Sequence, residues 1–383
     1  MAIVKLPITN VIMNGVYTGT LLVGAGAKPL IVILDTGSST LAVSGHAFDP
    51  VHDSGTKTTN LAQAVAYGSG GWVGAVVATT VGFSVAMSLP NANMAITYRG
   101  EVFGPSNGIW GLAFPPLNNA YRMPVDTWTA RYDFDHIQHG IPTSIDPYFD
   151  ELEKAGGVKN KFALHMKRSA VSQAMADPAT DPMNQGILVI GGGEEATELY
   201  TGAFTRIAVV DDLYYNTNLL AVQVGTQPAI PVSPLASTTP QGSNSIVDSG
   251  SNGLALDQAV YDKIIAAFHA IDPAYATALK AACLAFDDVK PVDQTQLNLG
   301  AWPDIVLSFQ GADGRPASVS IHPGNYWQFD SPEKGKAVTT MYGDGGSGGG
   351  LSILGLPLFS GYYVVFDRTA DNGQGLIGFA TRS

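Results

Sequence analysis

Residues 31–43 read IVILDTGSSTLAV, and residues 245–256 read SIVDSGSNGLAL. Each is an apolar run that ends in an aspartate, Asp35 or Asp248, and then turns at once through a hydroxyl residue, a glycine and a serine. A second apolar run follows in both. The later part of the unit recurs too, since GIWGLAF at 108–114 answers ILGLPLF at 353–359. An aspartate turn followed by an apolar-apolar-glycine segment, twice in the same order, is an internal repeat. It implies two similar lobes, 1–185 and 186–383, each contributing one aspartate to a common cleft.

The rest of the chain is consistent with a β-rich protein. Across 383 residues, 44 glycines and 23 prolines punctuate short β-branched and aromatic runs at 30–34, 74–81, 161–165, 186–190, 305–308 and 362–366, the pattern of strands joined by turns. Helical spacing is confined to 143–154, 257–269 and a continuation over 273–285. The polar stretch 169–185 and the Ser/Thr/Pro-rich stretch 228–244 read as linkers, and the glycine-rich 343–350 reads as a loop leading into a strand. It lacks the Gly-Lys-Ser/Thr ending of a phosphate loop.

Composition excludes several classes of function. Hydrophobic residues make up 45% and charged residues 14%, which is incompatible with global disorder. With 20 Lys+Arg against 32 Asp+Glu the net charge is -12, so no nucleic-acid partner is expected. Apolar runs are strand-sized, which argues against a membrane span. The first twenty residues lack a basic segment followed by an apolar one. Export is therefore expected only if a signal was removed, and a cytoplasmic location if this is the whole gene product. Cys283 stands alone, which leaves no intramolecular disulfide and no cysteine-based metal site. His136 and His139, near Asp133 and Asp135, have no third ligand at a recognisable spacing and read as a solvated loop. No metal or cofactor is expected.

An aspartate at the tip of a strand, followed by Thr36, Gly37 and Ser38 or by Ser249, Gly250 and Ser251, is a carboxylate held on a rigid scaffold with hydroxyls beside it to orient it. A single such turn is ordinarily just an Asx-turn. Two copies flanked by matching strands point instead to a pair of carboxylates that cannot both ionise cheaply, so that one serves as base while the other serves as acid.

At this point the chain resembles a pepsin-like aspartic protease. Beyond the two turns, Tyr17-Thr18-Gly19 is similar to the family's first hairpin, and Tyr67-Gly68-Ser69-Gly70-Gly71 resembles the tip of its active-site flap. Asn107 to Ala113, Leu188 to Gly192 with Tyr200-Thr201-Gly202, Pro303-Asp304-Ile305 and Tyr362 to Arg368 match in order and character. The resemblance implies an all-β, bilobal acid protease fold with few short helices. It also implies an endopeptidase in which water held by Asp35 and Asp248 attacks the peptide carbonyl. Ser38 and Ser251 would bond the outer carboxylate oxygens, and Thr36 and Ser249 would tie the turns. Tyr67, Gly68 and Ser69 would cover the substrate, with Ile33, Ile109 and Asn252 beside it. The expected partners are an extended polypeptide and pepstatin-type inhibitors, the expected state is a monomer, and bulky apolar residues are preferred around the scissile bond at acidic pH. The alternative is a pepsin-like binding protein that retains the cleft but not hydrolysis.

The chain departs from the family at one conspicuous place. A tryptophan usually follows the first aspartate turn and bonds the flap tyrosine, and here that position is Ala42. A looser flap is expected, unless Trp72 or Trp110 restores the bond from another direction.

Overall fold

A computed structural model describes residues 3–67, 70–84, 86–100, 103–235, 242–345 and 349–383. Strands dominate it, and two compact units account for the chain: Thr18–Asn160, and Ile3–Tyr17 together with Lys161–Ser383.

The chain enters through β1 (Val4–Met13) and β2 (Val16–Val23), then β3 (Lys28–Asp35) and β4 (Leu41–Ser44). The long strands β5 (Lys57–Tyr67), β6 (Gly70–Ser84) and β7 (Met87–Arg99) follow, and then β8 (Gly108–Gly111). In the first unit the strands pair in the order β2, β3, β8, β4, β7, β6, and β6 pairs back onto β2 through Leu22 with Gly82 and Val23 with Val81. The ring therefore closes, and those six strands leave no unpaired edge. Its strands are apolar on both faces where they are central: all four residues of β4 and of β8 are buried, as expected for strands covered on each side. Outside the ring, β5 continues the sheet to β9 (Asn119–Arg122) and β10 (Ile141–Ser144). Two short helices lie between these, α1 (Thr127–Ala130) and α2 (Phe134–Gln138), and α3 (Tyr148–Lys154) follows β10.

In the second unit, β1 pairs with β12 (Gln185–Ile190), and β12 with β11 (Lys161–His165). The strands Tyr362–Asp367 and Leu376–Arg382 and then β13 (Tyr200–Ala208) extend that sheet. A separate small sheet holds Ser245–Val247, Ser352–Leu354, Leu254–Leu256 and Met341–Gly343. The helices α4 (Gln258–Ile271) and α5 (Pro273–Ala281) are capped by Asp257 and Asp272, whose side chains accept from N–H groups of the first turn.

Every strand read from 30–34, 74–81, 161–165, 186–190, 305–308 and 362–366 lies within a strand, and α4 and α5 fall in the stretches of helical spacing, although α5 stops at Ala281 and Cys283 bridges to Thr339 instead. The expected helix at 143–154 is corrected at its start, because Thr143 and Ser144 are in β10 and pair with Ala120 and Asn119. The helix begins only at Tyr148, just after Pro147. The stretch 169–185 does not link the two units but lies within the second; Ser169, Ala170, Ser172 and Asn184 anchor it from buried positions while 175–177 and 182–183 are exposed. Asn184 ties its two ends together, receiving the Ser172 N–H at 2.8 Å and donating to the Ser172 carbonyl at 2.9 Å. The expected lobe boundary at 185/186 falls inside the second unit, since β11, β12 and the segment between them pack together there. Of the expected linker 228–244, residues 236–241 lie outside the described residues, as do 346–348 of the glycine-rich loop. No described helix is long and apolar enough to cross a membrane.

Candidate active site

Each aspartate turn is built in the same way within its own unit. β3 runs parallel to β8, with Asp35 opposite Gly111, and β4 returns antiparallel to β8. In the second unit Ser245–Val247 runs parallel to Ser352–Leu354, and Leu254–Leu256 returns antiparallel to it. The glycine of each apolar-apolar-glycine segment is fixed by this arrangement. A Cβ on Gly111 would come within 2.5 Å of the backbone nitrogens of Ser39 and Thr40, and one on Gly355 within 2.2 Å of the Ser251 carbonyl oxygen. Only glycine lets a neighbouring strand approach the turn so closely. Matching bonds lock the contact: Gly111 N–H donates to Thr40 O at 3.0 Å, and Gly355 N–H donates to Gly253 O at 3.0 Å.

The carboxylates are oriented alike. Gly37 N–H donates to Asp35 Oδ1 at 2.8 Å, and Gly250 N–H donates to Asp248 Oδ1 at 2.7 Å. The second oxygen of Asp35 accepts from the Ser38 hydroxyl, as expected. Ser251 differs: its hydroxyl folds back to the Gly253 carbonyl at 3.2 Å. The hydroxyl residues next to the aspartates, Thr36 and Ser249, are both fully buried. Ile33 and Ile109 are paired neighbours on β3 and β8, 7% and 6% exposed. Ile33 shares a strand face with Asp35, two residues away. Asn252 lies against Gly15, which is in the same unit.

Tyr67 ends β5, and its phenol accepts a hydrogen bond from Trp72 Nε1 at 3.2 Å. The hairpin register explains the pairing. Tyr67 sits opposite Gly70 and Val65 opposite Trp72, so Tyr67 and Trp72 are diagonal neighbours on one face, within reach for two aromatic side chains. Burial together with the nearby Asp35 charge pushes the Tyr67 hydroxyl well above its ordinary range, and Trp72 and Ser38 oppose the rise. The Trp72–Tyr67 pair thus lies beside the Ser38–Asp35 pair. The expectation of an unanchored flap tyrosine is corrected: Ala42 is fully buried, paired with Ala95 and Ile109, and Trp72 supplies the donor from the hairpin itself. Trp110 does not take part, because it packs against Phe83 and Tyr148 at ring separations of 5.5 Å. Gly68 and Ser69 lie outside the described residues. His136 and His139 belong to α2 and its C-cap, where Asp133 caps the helix through the His136 N–H.

Sequence reading named Trp72 but could not place it, since the signal is the strand register rather than any motif. The Gly253 carbonyl as partner of Ser251 left no sequence signal at all.

Comparison with known proteins agrees with this geometry. Chymosin of Camelus dromedarius is 25% identical over 385 residues, covering 97% of this chain and 82% of that one. Pepsin A of Callithrix jacchus is 25% identical over 375 residues, covering 94% and 80%. Cathepsin D of Chionodraco hamatus is 25% identical over 396 residues, covering 96% and 81%. The family model described as eukaryotic aspartyl protease matches residues 16–381, and the chain belongs to that pepsin-like family.

Proposed function

We propose that this chain is an active aspartic endopeptidase in which Asp35 and Asp248 work as a pair on one water molecule. The observation that carries this reading is the duplicated turn, in which each carboxylate is held by the N–H two residues on, at 2.8 Å for Asp35 and 2.7 Å for Asp248. Two aspartates presented in the same local geometry, one in each half of the sequence, suit a reaction that needs a proton removed and a proton supplied at once. The ionised carboxylate takes a proton from water as its oxygen attacks the peptide carbonyl, and the protonated one gives its proton to the carbonyl oxygen. The tetrahedral intermediate then collapses with protonation of the leaving amine, and no acyl-enzyme forms. Ser38 orients Asp35, and Thr36 and Ser249 hold the turns from buried positions.

The substrate is an extended polypeptide with bulky apolar residues around the scissile bond. Ile33 and Ile109 supply an apolar surface beside Asp35, and Tyr67 covers it as part of a lid that excludes water. The two halves act as lobes of one monomer, and a pepstatin-type inhibitor occupies the substrate position. The test is turnover of an unfolded protein at about pH 4, within the carboxyl range. Cleavage between bulky apolar residues that is blocked by a pepstatin-type peptide supports the reading. Tight inhibitor binding without cleavage replaces it with a binding protein.

A further inference from the structure

A cavity of about 380 Å³ opens in the first unit where β4 and β7 end, and its wall includes Thr97, Arg99, Trp128, Arg131, His46 and Asp49. It is remote from the aspartate turn. Val43 pairs with Gly108 while Asp35 pairs with Gly111, so β4 leads away from Asp35 over roughly 10 Å to this end of the strands.

We propose that this cavity is an anion site that takes a carboxylate or phosphate group. In a chain of net charge -12, two guanidinium groups line one cavity, and among the described residues neither makes an ion pair. Arg131 is held in place, since its guanidinium lies over the Trp128 ring, 4.8 Å from the centroid, a geometry that orients the charge without neutralising it. Arg99 is carried on a β-bulge of β7 opposite Val73 and Gly74, the kind of irregularity that re-aims a side chain.

Thr97, 1% exposed, also lines the cavity.

The acidic groups nearby are already engaged. Asp49 accepts from Val51 N–H at 3.0 Å and contacts the His52 ring at 2.9 Å. Asp133, close enough for Arg99 to stabilise its charge, is bonded to His136 through both backbone and ring. The exposed His46 imidazole completes the rim. A planar oxyanion suits a pair of guanidinium forks better than a point charge does. Binding there needs nothing from the aspartate turns and serves equally for a free anion or for an acidic side chain on a bound polypeptide.

The test is a chemical-shift titration of isotope-labelled protein at about pH 6, where carboxylates are ionised. Inorganic phosphate and the blocked dipeptide acetyl-Glu-Glu-amide serve as probes, with sodium chloride at matched ionic strength as control. The Trp128 indole N–H and the arginine side-chain N–H groups report binding. At least one probe is expected to saturate with a dissociation constant of about 1 mM or tighter. Arg99→Gln and Arg131→Gln should each weaken it at least about fivefold. Saturation by phosphate alone assigns the site to a phosphate group, and saturation by the dipeptide alone assigns it to an acidic peptide. Both arginines are exposed, so their variants are expected to melt with the parent, which a thermal scan checks. No saturable shift with either probe, or a shift that persists in the Arg99→Gln/Arg131→Gln double variant, overturns the assignment.

Discussion

Trp72 Nε1 donates to Tyr67 Oη across 3.2 Å, from the strand that follows the tyrosine on the same hairpin. The anchor and the residue it anchors therefore belong to one hairpin. Tyr67→Phe and Trp72→Phe each remove one neutral hydrogen bond, of about 0.5–1.5 kcal/mol, and should each lower kcat/KM by about two- to tenfold. The double variant should be no worse than the worse single one, because both delete the same bond. Losses that multiply in steady-state kinetics would show that the two side chains act separately.

Gly111 and Gly355 support the aspartate turns by having no side chain. A Cβ on either would press within 2.5 Å of backbone atoms of the turn, so Gly111→Ala and Gly355→Ala should each destabilise by about 3 kcal/mol or more, the scale of severe overpacking. Gly26→Ala, which meets nothing within 4 Å, should change stability by less than about 1 kcal/mol. Chemical denaturation of the three variants decides this. A Gly111→Ala protein as stable as Gly26→Ala would mean that the turn is not clamped by β8.

Glu151 opens the third helix against Asn93, whose N–H reaches it at 3.1 Å. Burial raises its carboxyl from 4.5 to about 7. The folded state then binds this proton more tightly than the unfolded chain, so stability from this group is gained as pH falls from about 7 towards 4.5. Glu151→Gln should remove that gain, of order 1 kcal/mol after solvent screening, and flatten the dependence. Melting temperatures of parent and variant at about pH 5 and pH 8 measure it. Identical pH slopes would count against a raised carboxyl.

His165 works in the opposite sense. It is 6% exposed on β11, and burial, with Arg382 and Lys167 nearby, lowers its imidazole from 6.5 to about 4. Between those values the unfolded chain binds the proton and the folded one does not, so stability is lost as pH falls through the window, by roughly 2 kcal/mol. His165→Leu should abolish that slope. Denaturant titrations across the window check it, and a slope unchanged in His165→Leu would place the loss elsewhere.

How much of this was legible in the sequence depended on how local each feature is. The Asp-turn strands, β11, β12, α4 and α5 carry their signals within a dozen residues, as alternation, caps and turn glycines, and these were readable. β10 was not, because Thr143 and Ser144 become a strand only by pairing with Ala120 and Asn119, and propensity yields to such contacts. The position of Trp72 required the register of a long hairpin, which one residue of slip would have turned to the other face. The placement of β11 and of 169–184 in the second unit likewise rests on pairings between segments far apart in sequence, which composition does not announce. The two aspartates were legible because the repeat wrote them twice.

The central claim is that Asp35 and Asp248 are both required for peptide-bond hydrolysis. It is tested most directly by the turnover rate of an unfolded protein at about pH 4 for Asp35→Asn and Asp248→Asn, alongside the parent, with folding of each verified by thermal unfolding. Each variant is predicted to lose about a thousandfold or more, since each removes one partner of the proton exchange. A folded variant of either aspartate that retains activity within about tenfold of the parent would contradict the account.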